Sequence, residues 1–372
     1  MILVLIIYFL IFMILSFGTK KLSNKFFLFN MFALAMIFIC FALSIFPAKT
    51  VDFPSKLRSF DLFRYYWQMD LLRSGSFNEI VSFVFEKIWF GFRIIEYLLS
   101  LLTNCNSLLV VVSIIINFLC FSYIFIKLNK MEENLFNRKD ALLSIVCFLS
   151  IVNPLHLLSG IRNSMAVAIF SLGLFKIFFE HKNRTGFLLI LLSISIHPMI
   201  LIYVIILMMV RILRKLKLSK KIYMFLILLS LMVSPFSMKI IGFIGNLGIL
   251  PQFISEKMIY YSLEATYYSY FNLIIELLQL LVLFLYIKDV KKFQKNYLLC
   301  FLFMTLVTNI FFIMNSTFFV RIKFVFAFTF PCLIYYSKKN NVKTKYNGLI
   351  LFGLSFIIFI RYLIEFIGYF NV

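Results

Sequence analysis

The chain has 372 residues, 63% of them hydrophobic and only 14% charged, with a mean hydropathy of +1.00. A soluble domain carries about 45–50% apolar and about 25% charged residues, so a soluble enzyme is excluded, and repeated apolar runs of roughly 17–25 residues make an all-α, polytopic integral membrane protein. The net charge of +22 is concentrated in short lysine-rich loops, as the positive-inside rule and anionic headgroups require, and no soluble basic module is present to bind nucleic acid.

In chain order, Met1–Phe17 lacks a basic n-region and a small-residue cleavage site, so it reads as a retained first crossing. Lys20, Lys21 and Lys25 follow and belong inside, which puts the N-terminus outside. Phe26–Phe46 crosses back. Residues 47–106 then form an exterior loop with interfacial helices, containing DLFRYYWQM and NEIVSFVFEKIWFGF. Within it, Ile88–Thr103 is apolar but short, and its Arg93 and Glu96 stand at a spacing that lets them pair. Ser107–Ile126 crosses to the basic loop Lys127–Lys139. Ala141–Leu157 and Ile161–Phe179 form a tight pair about Ser159-Gly160, and the basic turn EHKNR follows.

Residues 186–210 are long enough for one crossing, yet the basic RILRKLKLSKK comes next. A single crossing would leave either that loop or EHKNR outside. Pro198 removes a backbone donor and disfavours helix at His197, so residues 186–210 are expected as a re-entrant helix pair lining a protein-buried or wet cavity. Ile222–Ile241 crosses outward to the tyrosine-rich exterior loop 242–270, where GFIGNLG reads as a flexible stretch. Phe271–Ile287, Tyr297–Met314, Phe318–Tyr336 and Leu349–Ile367 alternate after it. The sum is about ten crossings with both termini outside, for which a GT-C-like arrangement is one form. Twelve crossings would move Lys127–Lys139 and EHKNR outside, against the lysine and arginine rule.

This topology holds 24 of the 37 basic residues inside and 13 outside, and seven of the 13 are arginine: Arg58, Arg64, Arg73, Arg93, Arg162, Arg321 and Arg361. Lysine serves the positive-inside rule equally well, and a codon bias toward lysine does not explain an arginine-rich exterior. The planar guanidinium matters where a phosphate or carboxylate is gripped by two parallel hydrogen bonds. An anionic ligand at the exterior face is the expectation.

Asp61, Arg64, Tyr65 and Tyr66 fall together in DLFRYYWQM. Asp61 is either a carboxylate that takes a proton from a sugar hydroxyl or the partner of Arg64 in a local i,i+3 pair. Arg162 opens an apolar helix, where a cation opposes the helix dipole; it either meets an anion or snorkels to headgroups. His197 is either a packing residue or a base or phosphate donor. His156 is a weaker candidate of the same kind. Arg321 and Lys323 open FFVRIKFVFAF as anchors or ligands. Glu276 has no partner nearby in sequence, so it is a candidate base or ligand contact, whereas Glu365 stands i,i+4 from Arg361. The six cysteines form no CxxC pair and read as small apolar residues, with no metal site or disulfide framework implied. Walker A, GxGxxG, GxSxG, HExxH and DxD patterns are missing, so any donor is small or lipid-linked.

IRNSMAVAIF followed by LLSISIHPMI resembles the signature of the EpsG-type, O-antigen-polymerase-like membrane proteins: an arginine-led helix, a basic turn, and an apolar run with a central histidine. DLFRYYWQM, EKIWFGFRIIEYLLSLL and FFVRIKFVFAF resemble further family segments, although Glu86 and Gly91 stand further apart than in the family's E-x-G-F helix. The resemblance covers roughly residues 61–331. It implies a multi-pass polysaccharide polymerase of the Wzy type in the bacterial cytoplasmic (inner) membrane, building O-antigen or capsule. The enzyme would move a growing glycan from undecaprenyl diphosphate to the next lipid-linked repeat unit, without metal or cofactor. A chain-length regulator and a flippase are the implied partners, alongside membrane lipid and the undecaprenyl-diphosphate-linked oligosaccharide. Carried over by residue, Asp61 or His197 takes the acceptor proton. Arg162, Arg321 and Arg64 meet the diphosphate. Tyr65, Tyr66 and the Tyr260–Tyr270 loop stack on sugars. Asp61, Arg162 and Arg321 would lie at the exterior face, with His197 about halfway down the cavity. Two other readings stay open: a lipid-linked-oligosaccharide flippase or exporter, which should show internal repeats and mid-helix charges, and a polyprenyl-linked sugar transferase or ligase.

Overall fold

The computed structural model describes residues 22–52, 61–86, 89–132, 135–153, 157–158, 160–215, 220–247, 252, 255–256, 259, 262, 270–288, 296–340 and 345–370. These contain helices and no strands. The fold is that of an all-α membrane protein. Its helices are α1 (Asn24–Ile45), α2 (Asp61–Ser74), α3 (Phe77–Phe85), α4 (Phe90–Leu102), α5 (Leu108–Met131), α6 (Arg138–Val152), α7 (Ile161–Phe178) and α8 (Asn183–Ile196). After these come α9 (Ile200–Lys215), α10 (Lys220–Val233), α11 (Ser237–Asn246), α12 (Tyr270–Lys288), α13 (Tyr297–Phe311), α14 (Ser316–Lys339) and α15 (Lys345–Phe370).

Six stretches among the described residues are long and apolar enough to span a membrane: Asn24–Ile45, Leu108–Met131, Ile161–Phe178, Ile222–Asn246, Thr317–Lys339 and Asn347–Glu365. The count of about ten is therefore not reached on length and hydropathy. The reason is physical: at about 1.5 Å per residue, helices of some 15 residues such as α6 and α13 fall short of an apolar slab about 30 Å thick. The expected first crossing, Met1–Phe17, lies outside the described residues, as do His156, Arg58 and most of the Tyr260–Tyr270 loop. One further expectation changes. GFIGN is not a loop but the last turns of α11, continuous with α10 through a 3-10 turn at Ser234–Phe236.

Phenylalanine makes the core. Phe27 stacks on Phe125 at 4.0 Å, Phe121 on Phe148 at 4.6 Å, and Phe148 meets Phe328 edge-on at 5.4 Å, which joins α1, α5, α6 and α14. Such pairs combine large apolar area with preferred ring geometry. α14 runs through the middle of this core. Its last turn is tied down by Lys339 on Glu132 at 2.7 Å and by Lys338 on Asp140.

The α7–α8 hairpin positions the site. A Cβ on Gly173 would stand 2.9 Å from the Gly186 carbonyl, so only glycine lets the backbones approach this closely. The turn closes through His181, which takes the left-handed conformation at φ 55°, while the Lys182 N–H reaches back 2.8 Å to the Lys176 carbonyl. Counting out from the glycine contact, Arg162 and His197 are each eleven residues away, so antiparallel packing sets them at one level. α9 then runs back beside α7: Tyr203 stacks on Phe170 at 5.1 Å, and Tyr297 bridges Phe178 and the Leu207 carbonyl.

Candidate functional site

Six of the eight site residues singled out in the sequence converge around Arg162 and His197. α2 buries Leu62, Tyr65, Tyr66, Met69 and Leu72 at helical spacing and leaves Asp61 and Arg64 on its open side. Their carboxylate and guanidinium pair at 2.8 Å, both sides half exposed. α4 lies parallel to α2. Tyr65 meets Phe92 near the start of α4, and Arg73 donates to the Ser100 and Thr103 carbonyls at its end. Gly91 on α4 packs so closely on Ser195 of α8 that any Cβ would overlap the serine side chain. This contact brings α4 against the chain two residues before His197.

Arg162 projects from the first turn of α7 into a cage of rings. Its guanidinium carbon lies 5.2 Å from the Trp89 ring centre, 5.8 Å from Tyr65 and 5.9 Å from Phe92, inside the range of cation–π attraction. Its Nε is buried without a hydrogen-bond partner among the described residues. The rings hold the cation without using its N–H groups, so a fork of donors remains for an anion.

His197 ends α8 in an extended conformation and is almost fully buried. Its Nδ1 accepts from the Met199 N–H at 3.1 Å. A nitrogen that accepts carries no proton, so the proton of this neutral ring sits on Nε2. In this state Nε2–H is the donor group of the ring. His197 stands level with Arg162, not half a helix deeper. The charges of Arg162, Arg321 and Arg64 all act on it. Arg321, on the first turns of α14, is set by Tyr203, whose hydroxyl donates to the Arg321 and Ile322 carbonyls at 2.9 and 3.1 Å.

Other candidates sit differently. Tyr65 and Tyr66 are buried, at 2% and 0% exposure, so neither presents a face to a sugar. Tyr65 is a wall of the arginine cage, and Tyr66 packs into the scaffold, its carbonyl accepting from Asn106. Glu276 faces away from the cluster. Its carboxylate receives Lys323 at 2.8 Å and the Tyr362 hydroxyl at 2.6 Å, with Arg361 at 3.8 Å, so its acceptor positions are filled. Arg361 also approaches Glu365 at 3.6 Å, the pairing that their spacing suggested.

One residue of the cluster escaped the sequence. Glu96 is fully buried, and neither of its oxygens has a hydrogen bond among the described residues. Its spacing from Arg93 suggested a local pair. Arg93 instead turns to Glu86 at 3.2 Å and to the Phe83 carbonyl. The signal was an acid in an apolar run, masked by a basic neighbour at helical spacing.

No group of three or more histidine, cysteine, aspartate or glutamate side chains suited to a metal occurs among the described residues. The charges of three guanidiniums, that of Arg64 already paired with Asp61, act on the neutral His197 ring, and forked donors of this kind fit a polyanion. A comparison with known families decides the relationship, because residues 53–371 match the EpsG family. The chain belongs to the EpsG family. This is a Wzy-like, polymerase-type family, so the chain's setting is polysaccharide biosynthesis at a membrane. No curated protein and no solved structure matches the chain significantly.

Proposed function

We propose that the protein is a polysaccharide polymerase that transfers a growing glycan from undecaprenyl diphosphate to the next lipid-linked repeat unit at the exterior face of the bacterial cytoplasmic membrane. The observation that carries this reading is that a buried, neutral His197 feels the charges of Arg162, Arg321 and Arg64 from three separate helices, with Arg162 held in an aromatic cage beside an open set of N–H donors. A leaving diphosphate develops charge as the glycosidic bond breaks, and preorganised donors act most strongly where charge develops. Arg162 and Arg321 meet the diphosphate, and the His197 Nε2–H donates to it. Asp61, half exposed beside Arg64, takes the proton of the attacking sugar hydroxyl. Membrane lipid, a flippase and a chain-length regulator are the partners that such a reaction calls for. In this reading α8 and α9 enter and leave on the cytoplasmic side as a re-entrant pair whose tip, His197, meets Arg162 at the outer mouth. The shorter helices α6, α12 and α13 complete the crossings in a bilayer thinned or shielded by their neighbours.

Glycan profiling of a deletion strain tests the reading. Single capped repeats on the final acceptor are the expected result. Loss of all surface glycan with lipid-linked units held inside would mark a flippase, and polymer stranded on its lipid would mark a ligase. Replacing Arg162 by lysine keeps the charge but removes the planar fork, so polymer should shorten or vanish. Normal polymer length in Arg162→Lys would overturn the diphosphate contact.

A further inference from the structure

The far ends of α5 and α7, away from Arg162, hold a second group of charges that the proposed reaction does not use. On α5, Tyr123, Lys127 and Lys130 recur at helical spacing and so share one face. At the end of α7, Lys176 stands four residues before Glu180. The two helices interlock here. The Tyr123 hydroxyl donates to Glu180 at 2.5 Å, Lys176 donates to the same carboxylate at 2.9 Å and to the Tyr123 oxygen, and Lys182 reaches Glu180 at 3.2 Å. With its acceptor positions taken, Glu180 braces an open cavity of about 380 Å³, whose other lining residues are Lys127, Lys130, Met131 and Lys182. That volume falls in the range of small-ligand pockets, about 300–1,000 Å³. Lys127 and Lys130 are exposed and make no ion pair among the described residues, so their charge is available to a ligand.

Depth and surroundings indicate the kind of ligand. The apolar stretches of α5 and α7 that are long enough to span a membrane end at Met131 and Phe178, so the cavity stands at headgroup level, where basic pockets between helices meet anionic lipids. Toward mid-membrane, Ile115 and Leu119 are exposed at 41% and 63% and continue the face of Tyr123, Lys127 and Lys130. An apolar stripe that runs into a lysine pocket suits a molecule with acyl chains and an anionic head, whereas a free phosphate would use the pocket alone. Lysine acts as a point charge on phosphate, in contrast to the forked arginine at the other end of α7. We propose that this cavity binds the phosphate headgroup of an anionic phospholipid, with the acyl chains along Ile115 and Leu119. Lys127 and Lys130 supply the charge, and the Tyr123–Lys176–Glu180 brace holds the pocket in shape. The positive-inside rule makes this the cytoplasmic leaflet. The site does not depend on the diphosphate reading, because Arg162 lies at the opposite end of α7.

Native mass spectrometry of the full chain in detergent, titrated with phosphatidylglycerol or phosphatidylcholine, tests this. The parent should retain phosphatidylglycerol in preference to phosphatidylcholine. Lys127→Gln combined with Lys130→Gln should weaken phosphatidylglycerol binding by roughly tenfold to thirtyfold, the worth of two lysines near a charged surface, and leave phosphatidylcholine binding as it was. Both side chains are exposed, so the exchange leaves the packing intact. Arg211→Gln combined with Lys215→Gln removes the same charge at the end of α9 and should hold phosphatidylglycerol binding within about twofold of the parent, as a distant site does. A parent without lipid preference, an unchanged affinity in the Lys127 and Lys130 variant, or an equal loss in the α9 variant would overturn the site. Inorganic phosphate is the remaining arm. If it displaces phosphatidylglycerol at equal concentration, the ligand is a free anion and the lipid assignment falls.

Discussion

Two charged clusters flank α14, and they differ in how completely the protein satisfies them. Arg321 and Lys323 stand two residues apart, about 200° around the helix, and so face opposite ways. On Lys323's side the ions pair among the described residues: Glu276 takes Lys323, Tyr362 and Arg361, and one turn along Gln279 donates to Ser150 and Ser355 while its Oε1 has no partner. On Arg321's side, Arg321 and Arg162 both act on His197, and the Arg162 Nε is buried without a partner among the described residues. Any charge at membrane depth is a functional hypothesis by default. The contrast shows that depth alone does not decide. What separates the two sides is whether the buried ions pair within the protein.

Three measurements break or sharpen this contrast. The largest effect belongs to Glu276→Ala, which strands Lys323 at 0% exposure. Breaking a buried pair from one side costs about 3–5 kcal/mol, so thermal unfolding in detergent should fall steeply or the protein should fail to accumulate. Arg162→Ala, in the open cluster, should leave unfolding near that of the parent and abolish polymer. Equal destabilisation by both would erase the distinction. Next is Gly173→Ala. Its Cβ meets the Gly186 carbonyl backbone at 2.9 Å, so the hairpin must spread, at about 1–3 kcal/mol for overpacking. Polymer yield should drop with it, since this contact sets His197 level with Arg162. Retained activity with lowered stability would mean that the register survives elsewhere.

The smallest effect lies at the far end of α7, where Glu180 is tied to Tyr123 and Lys176 with its side chain mostly buried. Burial pushes the Glu180 carboxyl up, but hydrogen bonds from Tyr123, Lys176 and Lys182 outweigh it and leave the group at about 2, below its usual 4.5. A depressed carboxyl contributes stability above its unfolded pKa and loses it as pH falls through the folded one. The parent's melting temperature should therefore decline between about pH 4.5 and 2, and Glu180→Gln should flatten that decline. An unchanged slope in the variant would assign the acid sensitivity to other groups.

The exterior arginines show how far sequence reasoning reached. Arginine enrichment pointed to an anion, and the charges of Arg64, Arg162 and Arg321 all act on His197. Arg73, however, caps α4 through the Ser100 and Thr103 carbonyls and binds Asn106 at 2.6 Å, while Arg93 and Arg361 serve Glu86 and the Glu276 cluster. A guanidinium suits a phosphate and a helix end by the same geometry, so residue type cannot sort them. The tyrosines illustrate the same limit. Tyr65 and Tyr66 are amphipathic enough for a sugar platform, yet helical spacing with Leu62, Met69 and Leu72 turns both inward.

By itself, the sequence determined the helical membrane class, the break at His197-Pro198 and the short list of polar residues among apolar runs. Each follows from local chemistry: apolar length, the missing proline donor, and the cost of charge in lipid. Only the tertiary structure decided which of those polar groups meet. Gly91 and Ser195 are 104 residues apart and Glu276 and Lys323 are 47 apart, separations over which helix periodicity carries no information. The Gly173–Gly186 and Gly91–Ser195 contacts bring α4, α7 and α8 together, and the opposite face of α14 closes the Glu276–Lys323 pair.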